Sequence, residues 1–341
     1  MRNHLKKLIQ GHHLSFHEMK NVTLSCINNY TTESEIAALL TALQIKGETS
    51  DEIAGLVEVI RSRSLYNTTN VKNVMDNCGT GGDMSGSFNI STTSAFVIAG
   101  AGVPIAKHGN RSISSKTGSA DVLETLGVSL FFTPAQVEES LDKNKIVFLF
   151  APHVHDALRS FSKVRKDLGL PTIFNIIGPL INPVMLHSQF IGVYRKEKLE
   201  IVAQTLHKLG RKRAIVVNGA NGMDEASLSG VNHLILLEDG KLKPFTLHPE
   251  EVGLPMYPNE EIQGGDAKKN AAIMKDVLQG NSSAYLDTVL LNAGLGLYAH
   301  GTASSIQQGV ELANESVRSG KALACLLNLV DFSKKCTREV I

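Results

Sequence analysis

Long apolar runs are missing from this chain. No stretch approaches the roughly 18 residues that a membrane span requires, and the small-residue stretch from Phe96 to Ala106 is the longest candidate. A transmembrane protein is therefore not expected. The first twenty residues are interrupted by Arg2, Lys6, Lys7 and several histidines and lack the apolar core of a secretory signal, so a cytoplasmic location is expected. Charge bias is missing too: 34 Lys and Arg stand against 33 Asp and Glu, which removes any bulk pull toward nucleic acid or anionic lipid. The four cysteines, Cys26, Cys78, Cys325 and Cys336, are scattered without the close pairs of a zinc or redox motif and read as reduced thiols. Cys78 has no identifiable partner to stabilise a thiolate. Repeats and low-complexity tracts are absent as well.

What is there is an ordinary globular composition, 43% hydrophobic and 20% charged over 341 residues, enough for a large domain beside a smaller one. Residues 1–66 read as helices only. Ser15 with Glu18, Thr32 with Glu35 and Thr49 with Glu52 are three capping boxes, each opening a run with apolar residues three and four apart. Arg61 to Asn73 reads as a polar linker. In the second domain, residues 73–341, the pattern becomes short apolar runs alternating with helical ones, the signature of βα units, and from Asp266 onward the reading is helical again. Strands are expected at Val74 to Asn77, Val103 to Lys107, Ile146 to Phe150 and Ala214 to Asn218. Helices are expected at Ser91 to Ala99, Ala120 to Leu126, Pro134 to Leu141 and Lys198 to Leu209. His233 to Leu237 and Lys241 to Leu247 flank Asp239-Gly240, a hairpin signal. The fold class is thus α/β: a small N-terminal helical domain and a large domain with a mixed, mostly parallel sheet.

Four clusters carry chemistry. Gly79-Thr80-Gly81-Gly82-Asp83 lies between a strand and a helix, where glycines let backbone N–H groups close on an anion and a helix N-terminus adds partial positive charge. The plainer alternative is a flexible turn with Asn89 or Ser91 capping the helix. The loop is neither a P-loop nor a dinucleotide fingerprint, since Asp83 follows the glycines. Its carboxylate suits a hydroxyl, the loop's own amides or a metal-bound water, and the choice stays open here. The second cluster, Lys107 to Asp121, holds Lys107, Arg111, Lys116 and several hydroxyls including Ser115 and Ser119, and suits a loop folding over a charged anion or a solvated basic surface. Third, Asp224-Glu225 at a strand end are hard oxygen ligands suited to Mg²⁺, or a solvent-facing helix start. Fourth, His155 ends another strand and Arg165 follows ten residues on: an imidazole to orient an amine and a guanidinium to fork onto a carboxylate.

The chain resembles the anthranilate phosphoribosyltransferase family, and five segments carry the resemblance. They are Gly79 to Asp83 with Phe88 to Thr92; Lys107 to Arg111 with Gly118 to Asp121; Thr172 to Pro183; Asp224-Glu225; and Val289 to Ala293 with Gly320 to Ala322. The resemblance implies that Gly79, Gly82, Asp83, Ser87, Asn89, Ile90, Ser91, Thr92, Lys107, Ser115 and Ser119 contact phosphoribosyl pyrophosphate. It implies magnesium on Ser91, Asp224 and Glu225. Gly79, His108, Asn110, His155, Arg165 and Gly178 would line an anthranilate pocket. It further implies a crossover segment near residues 165–187 that completes the helical domain, and a homodimer formed through that domain. Asn218 stands where His is usual, Asp156 where Pro is common and Ser87 where Thr is usual. Pyrimidine nucleoside phosphorylases share the expected fold, but Asp76-Asn77-Cys78 replaces their Lys-His-Ser-type prelude to the glycines. A non-catalytic nucleic-acid-binding relative is the second alternative, opposed by the neutral charge balance.

Overall fold

Four helices, α1 (Arg2–Ile9), α2 (Phe16–Ile27), α3 (Glu33–Lys46) and α4 (Ser50–Ser62), open the chain in a computed structural model that describes residues 1–66, 70–112 and 116–338. All three expected capping boxes form, with Ser15, Thr32 and Thr49 side chains accepting from the amides of Glu18, Glu35 and Glu52. Helix α1 has no side-chain cap, so it carries no start signal of that kind. The expected linker is partly anchored: Tyr66 is buried and its hydroxyl donates to the Phe132 carbonyl.

Seven strands follow: β1 (Met75–Gly79), β2 (Ile105–Gly109), β3 (Ile146–Phe150), β4 (Ser188–Gly192), β5 (Arg213–Asn218), β6 (Asn232–Glu238) and β7 (Lys241–Leu247). They form one sheet in the order β3-β2-β1-β4-β5-β6-β7. The first five run parallel, and β6 and β7 add antiparallel pairs. Asp239 and Gly240 take φ of 50° and 72°, as a tight two-residue hairpin turn needs. Strand β4 is not among the expected strands, yet it lies at the centre of the sheet.

Helices α5 (Ile90–Gly100), α6 (Ser119–Thr125), α7 (Pro134–Lys143), α8 (Ala151–Val154), α9 (Arg159–Leu168), α10 (Phe174–Ile177) and α11 (Leu199–Lys208) connect the strands, and α12 (Ala267–Leu278), α13 (Ala284–His300), α14 (Ile306–Arg318) and α15 (Lys321–Arg338) close the chain. Side chains alternate across the sheet. Phe190, Ile215 and Val217 join the core under α5 and α13, while Ile191, Ala214 and Val216 join the core on the opposite face. That second core also contains α1 to α4 and the crossover residues Phe161, Val164, Phe174, Ile177 and Leu180. The bundle, the crossover and one sheet face therefore exclude water together. Among the described residues no helix is long and apolar enough to cross a membrane.

Candidate active site

The strand order reverses between β1 and β4: the chain builds β1, β2 and β3 outward, then returns to lay β4 on the other side of β1. In such sheets the crevice beyond the carboxyl ends of the two strands at the reversal is the natural ligand seat. Both strands end there in glycine. A Cβ on Gly79 would overlap the Asp224 carboxylate, and one on Gly192 would overlap the Asp224 backbone. The loop after β5 thus lays Asp224 directly across both strand ends. It is held there by a bridge between Gly219 and Met223 and by Asn292 of α13, which accepts from the Ala226 amide at 2.9 Å and donates to its carbonyl at 2.8 Å.

Two backbone amides meet two carboxylates at this point. The Gly81 amide donates to Asp224 Oδ2 at 2.5 Å, across 143 residues of sequence, and the Ser91 amide in the first turn of α5 donates to Glu225 Oε1 at 3.2 Å. Gly81 and Gly82 take φ of 72° and 87°. Burial holds the Asp224 carboxyl well above the usual range, and the neighbouring Asp83 and Glu225 carboxylates push it further the same way. Glu225 is pushed up to about 7, by burial, against the pull of the Lys107 ammonium. Buried, mutually repelling hard oxygens fit a small divalent cation, whose charge would relieve the repulsion. Among the described residues no group of three or more His, Cys, Asp or Glu side chains is disposed as a metal cage. An ion here would rest on two carboxylates and on oxygens of its ligand, the usual manner of Mg²⁺.

The other residues expected on the phosphate side each have identifiable partners. Asn89 precedes α5 without capping it; its amide donates to the Thr117 carbonyl at 3.3 Å and its oxygen accepts from Asn270 at 2.8 Å, so simple capping is not its task. Ile90 and Thr92 are buried in α5. Asp83 accepts from the Ser85 amide at 3.1 Å, one of the options open from sequence, and Ser85 donates to Ser87 at 3.2 Å. Lys107 is buried and donates to the Asn77 carbonyl at 2.6 Å. Ser119 donates to the Asn110 carbonyl at 3.2 Å. Ser115 lies outside the described residues. The basic loop is less free than its composition suggests, because Arg111 is paired with Asp121 and Glu124 at 2.8 and 2.9 Å.

Two of the residues expected on the acceptor side meet at the ends of β2 and β3. The His108 and His155 rings meet edge to face at 5.2 Å. His108 Nδ1 lies 3.1 Å from the Gly178 carbonyl, which only accepts, so Nδ1 carries the proton and the buried Nε2 is a bare acceptor with no partner among the described residues. Burial holds His108 neutral, well below the usual imidazole range, and holds His155 at about 4. Asn110 uses its side-chain oxygen to accept from the Arg111 amide at 2.7 Å. Arg165 on α9 stacks over the Phe174 ring at 4.7 Å, half buried and with no carboxylate partner among the described residues. A crevice lined by Gln44, Thr80, Thr172, Asn175, Tyr194 and Lys198 opens beside the glycine turn and brings the bundle to the site.

Two family profiles match the chain: a glycosyl transferase family helical bundle domain over residues 2–64 and a glycosyl transferase family a/b domain over residues 71–323. The anthranilate phosphoribosyltransferase of Oceanobacillus iheyensis is 59% identical over 340 residues, covering 100% of both chains. The crystal structure of the Thermus thermophilus enzyme of that name superimposes with a TM-score of 0.92 at 39% identity, covering 97% of this chain and 99% of that one. The chain belongs to the anthranilate phosphoribosyltransferase family. The Saccharomyces cerevisiae member, solved in complex with phosphoribosyl pyrophosphate and Mg, superimposes with a TM-score of 0.88 at 29% identity over 97% of each chain. Members of this family are glycosyltransferases, and this chain is one of them. Neither the nucleoside phosphorylase reading nor the nucleic-acid-binding one is favoured by these relatives.

Within the family frame, the three departures prove mild in place. Asn218 donates to the Val193 carbonyl at 2.8 Å and is buried. Asp156 is exposed and pairs with Arg159 at 2.9 Å. Ser87 keeps its hydroxyl in the hydrogen bond with Ser85. Gly192 and Asn292 are site-building residues that sequence reasoning passes over. Asn292 had a signal, a polar residue amid Val289 to Leu297, whereas Gly192 was hidden with the unrecognised strand. Burial lifts the Cys78 thiol to about 12, which opposes thiolate formation.

Proposed function

We propose that this chain transfers the phosphoribosyl group of phosphoribosyl pyrophosphate to the amino nitrogen of anthranilate, releasing pyrophosphate, as a step of tryptophan biosynthesis. The observation that carries this is the meeting of the Gly81 and Ser91 amides with Asp224 and Glu225 at the strand reversal, one seat offering both anion donors and cation ligands. The turn Gly79, Gly82 and Asp83, with Ser87, Asn89, Ile90, Ser91, Thr92, Lys107 and Ser119, is assigned to the donor. Ser91, Asp224 and Glu225 would hold Mg²⁺, which when bound neutralises the departing diphosphate. Gly79, His108, Asn110, His155, Arg165 and Gly178 are assigned to anthranilate.

The residues act by placing and stabilising. The acceptor nitrogen attacks the anomeric carbon on one face while the diphosphate departs from the other, so alignment and stabilisation of the departing anion supply most of the rate. His108 Nε2, fixed as an acceptor, suits an amine N–H; Arg165, stacked and unpaired, suits the carboxylate. An aromatic amine is neutral near pH 7, and no general base is assigned. A division into residues 1–66 with the 165–187 crossover and residues 73–341 belongs to this reading. So do a cytoplasmic location and a homodimer through the bundle, whose Ile9 and Ile45 are 76% and 82% exposed. Loss of anthranilate fluorescence on mixing protein, anthranilate, phosphoribosyl pyrophosphate and Mg²⁺ is the expected result. Unchanged fluorescence with folded protein would remove the assignment.

A further inference from the structure

We infer that Asp76 and Asn182 form a buried clamp that seats the crossover segment on β1 and β2 and thereby positions His108 for the acceptor. The inference rests on the functional reading above and adds two positioning residues to it.

The seam between β1 and β2 is unusual. Strands β1 and β4 stay in register from Met75↔Ser188 to Gly79↔Gly192, and β2 and β3 do so from Ile105↔Ile146 to Gly109↔Phe150, whereas β1 and β2 pair only at Met75↔Ile105. Beyond that point side chains replace the ladder. The His108 amide donates to Asp76 Oδ1 at 3.2 Å, and Lys107 Nζ reaches the Asn77 carbonyl at 2.6 Å. Asp76 Oδ2 accepts from Asn182 Nδ2 at 3.0 Å; the same Nδ2 donates to the Ala106 carbonyl at 2.8 Å, and Asn182 Oδ1 accepts from the Val184 amide at 3.0 Å. Neither side chain reaches solvent.

These bonds close a ring. The His108 backbone is held by Asp76, Asp76 holds Asn182, and four residues earlier in the crossover the Gly178 carbonyl fixes the His108 imidazole at 3.1 Å. Amide and ring of one residue are thus tied to a single segment through two routes. An ordinary ladder bond would join the strands without burying a carboxylate, which costs free energy unless every lone pair is used. What the pair adds is position: it sets where Nε2 of His108 points.

The test compares Asn182→Ala, the milder Asn182→Ser, Asp76→Asn, Asn182→Asp and the exchange D76N/N182D, which keeps three of the four bonds but turns a carboxylate oxygen onto the Ala106 carbonyl. Steady-state kinetics are measured separately for each substrate, with amide hydrogen exchange on the same proteins. Expected is a fall of about 10- to 100-fold in kcat/KM for anthranilate, with the KM for phosphoribosyl pyrophosphate within about threefold of wild type. The exchange should recover part of the Asn182→Asp loss, and the Val184 amide should lose protection in Asn182→Ala. Equal losses on both substrates, wild-type kinetics in the single variants, or an exchange no better than Asn182→Asp would overturn the clamp. If wild-type protein consumes no anthranilate, the functional reading fails instead; unchanged Val184 and His108 protection in the variants would then overturn the clamp on its own.

Discussion

Asp224 and Glu225 work against the fold that holds them. Each is buried, Asp83 raises the cost of ionising both, and both give up stability for a charge the ligand supplies. Asp224→Asn keeps an oxygen for the Gly81 amide and removes a charge. It is expected to raise the melting temperature of ligand-free protein by roughly 2–4 °C and the Mg²⁺ concentration for half-maximal activity by about tenfold or more. Glu225→Gln should behave alike. Thermal melts and Mg²⁺ titrations of activity check both, and a fall in melting temperature would show the carboxylate to be a net structural support. His155 gives a second residue-scale effect. Burial holds it at about 4 when folded, against an ordinary value of 6.5. Between those values the unfolded chain takes up a proton that the folded one refuses, so stability drops as pH falls from 6.5 toward 4. The drop is up to roughly 3 kcal/mol for this group. In His155→Gln the gap between urea midpoints at pH 7 and pH 5 should narrow; an unchanged gap would mean other groups govern acid sensitivity.

At the scale of elements, the parts with local signals were readable and the parts without were not. Capped helices α2 to α4, the Asp239-Gly240 hairpin and strand β3 announce themselves through residues three or four positions apart, or through an unbroken apolar run. Strand β4 does not. Ser188 and Gln189 fill two of its five positions and are wholly buried, Gln189 accepting from Arg211 Nε at 2.9 Å, so the apolar pattern that marks a central strand is broken. The candidate site divides the same way. Its glycine turn, basic loop and acidic pair were each visible, but their convergence spans 143 and 134 residues and follows from strand order alone. The element ends also set a steric limit. A methyl group in Gly192→Ala overlaps the Asp224 backbone, and displacement of that loop is expected to cut kcat/KM for both substrates about 100-fold. Activity within a fewfold of wild type would show that the loop yields.

On the scale of the whole molecule, bundle and sheet are one cooperative body. The second core runs without a break from α1 through the crossover to α11 and the sheet. Buried Glu48 pairs with Lys198 at 2.8 Å, and Asp51 pairs with Lys208 at 2.5 Å, across the same boundary. Unfolding is therefore expected as a single transition, with calorimetric and van't Hoff enthalpies agreeing. Circular dichroism and tyrosine fluorescence should trace the same urea curve, and separate midpoints would show that the bundle comes loose first.

The crossover strip has a further consequence, because it belongs to two neighbourhoods at once. Its apolar side chains are packed among the bundle helices, while its Gly178 carbonyl and Asn182 amide grip the strand that bears His108. The diphosphate seat, assembled from the ends of β1, β4 and β5 and the start of α5, meets the same strip less directly, through Asp76 on β1 and through Gln189 on β4, whose amide donates to the Pro179 carbonyl. A push on the bundle, whether from a neighbouring copy or from a substitution in its core, would thus reach the amine side most directly, through the carbonyl that turns the His108 ring.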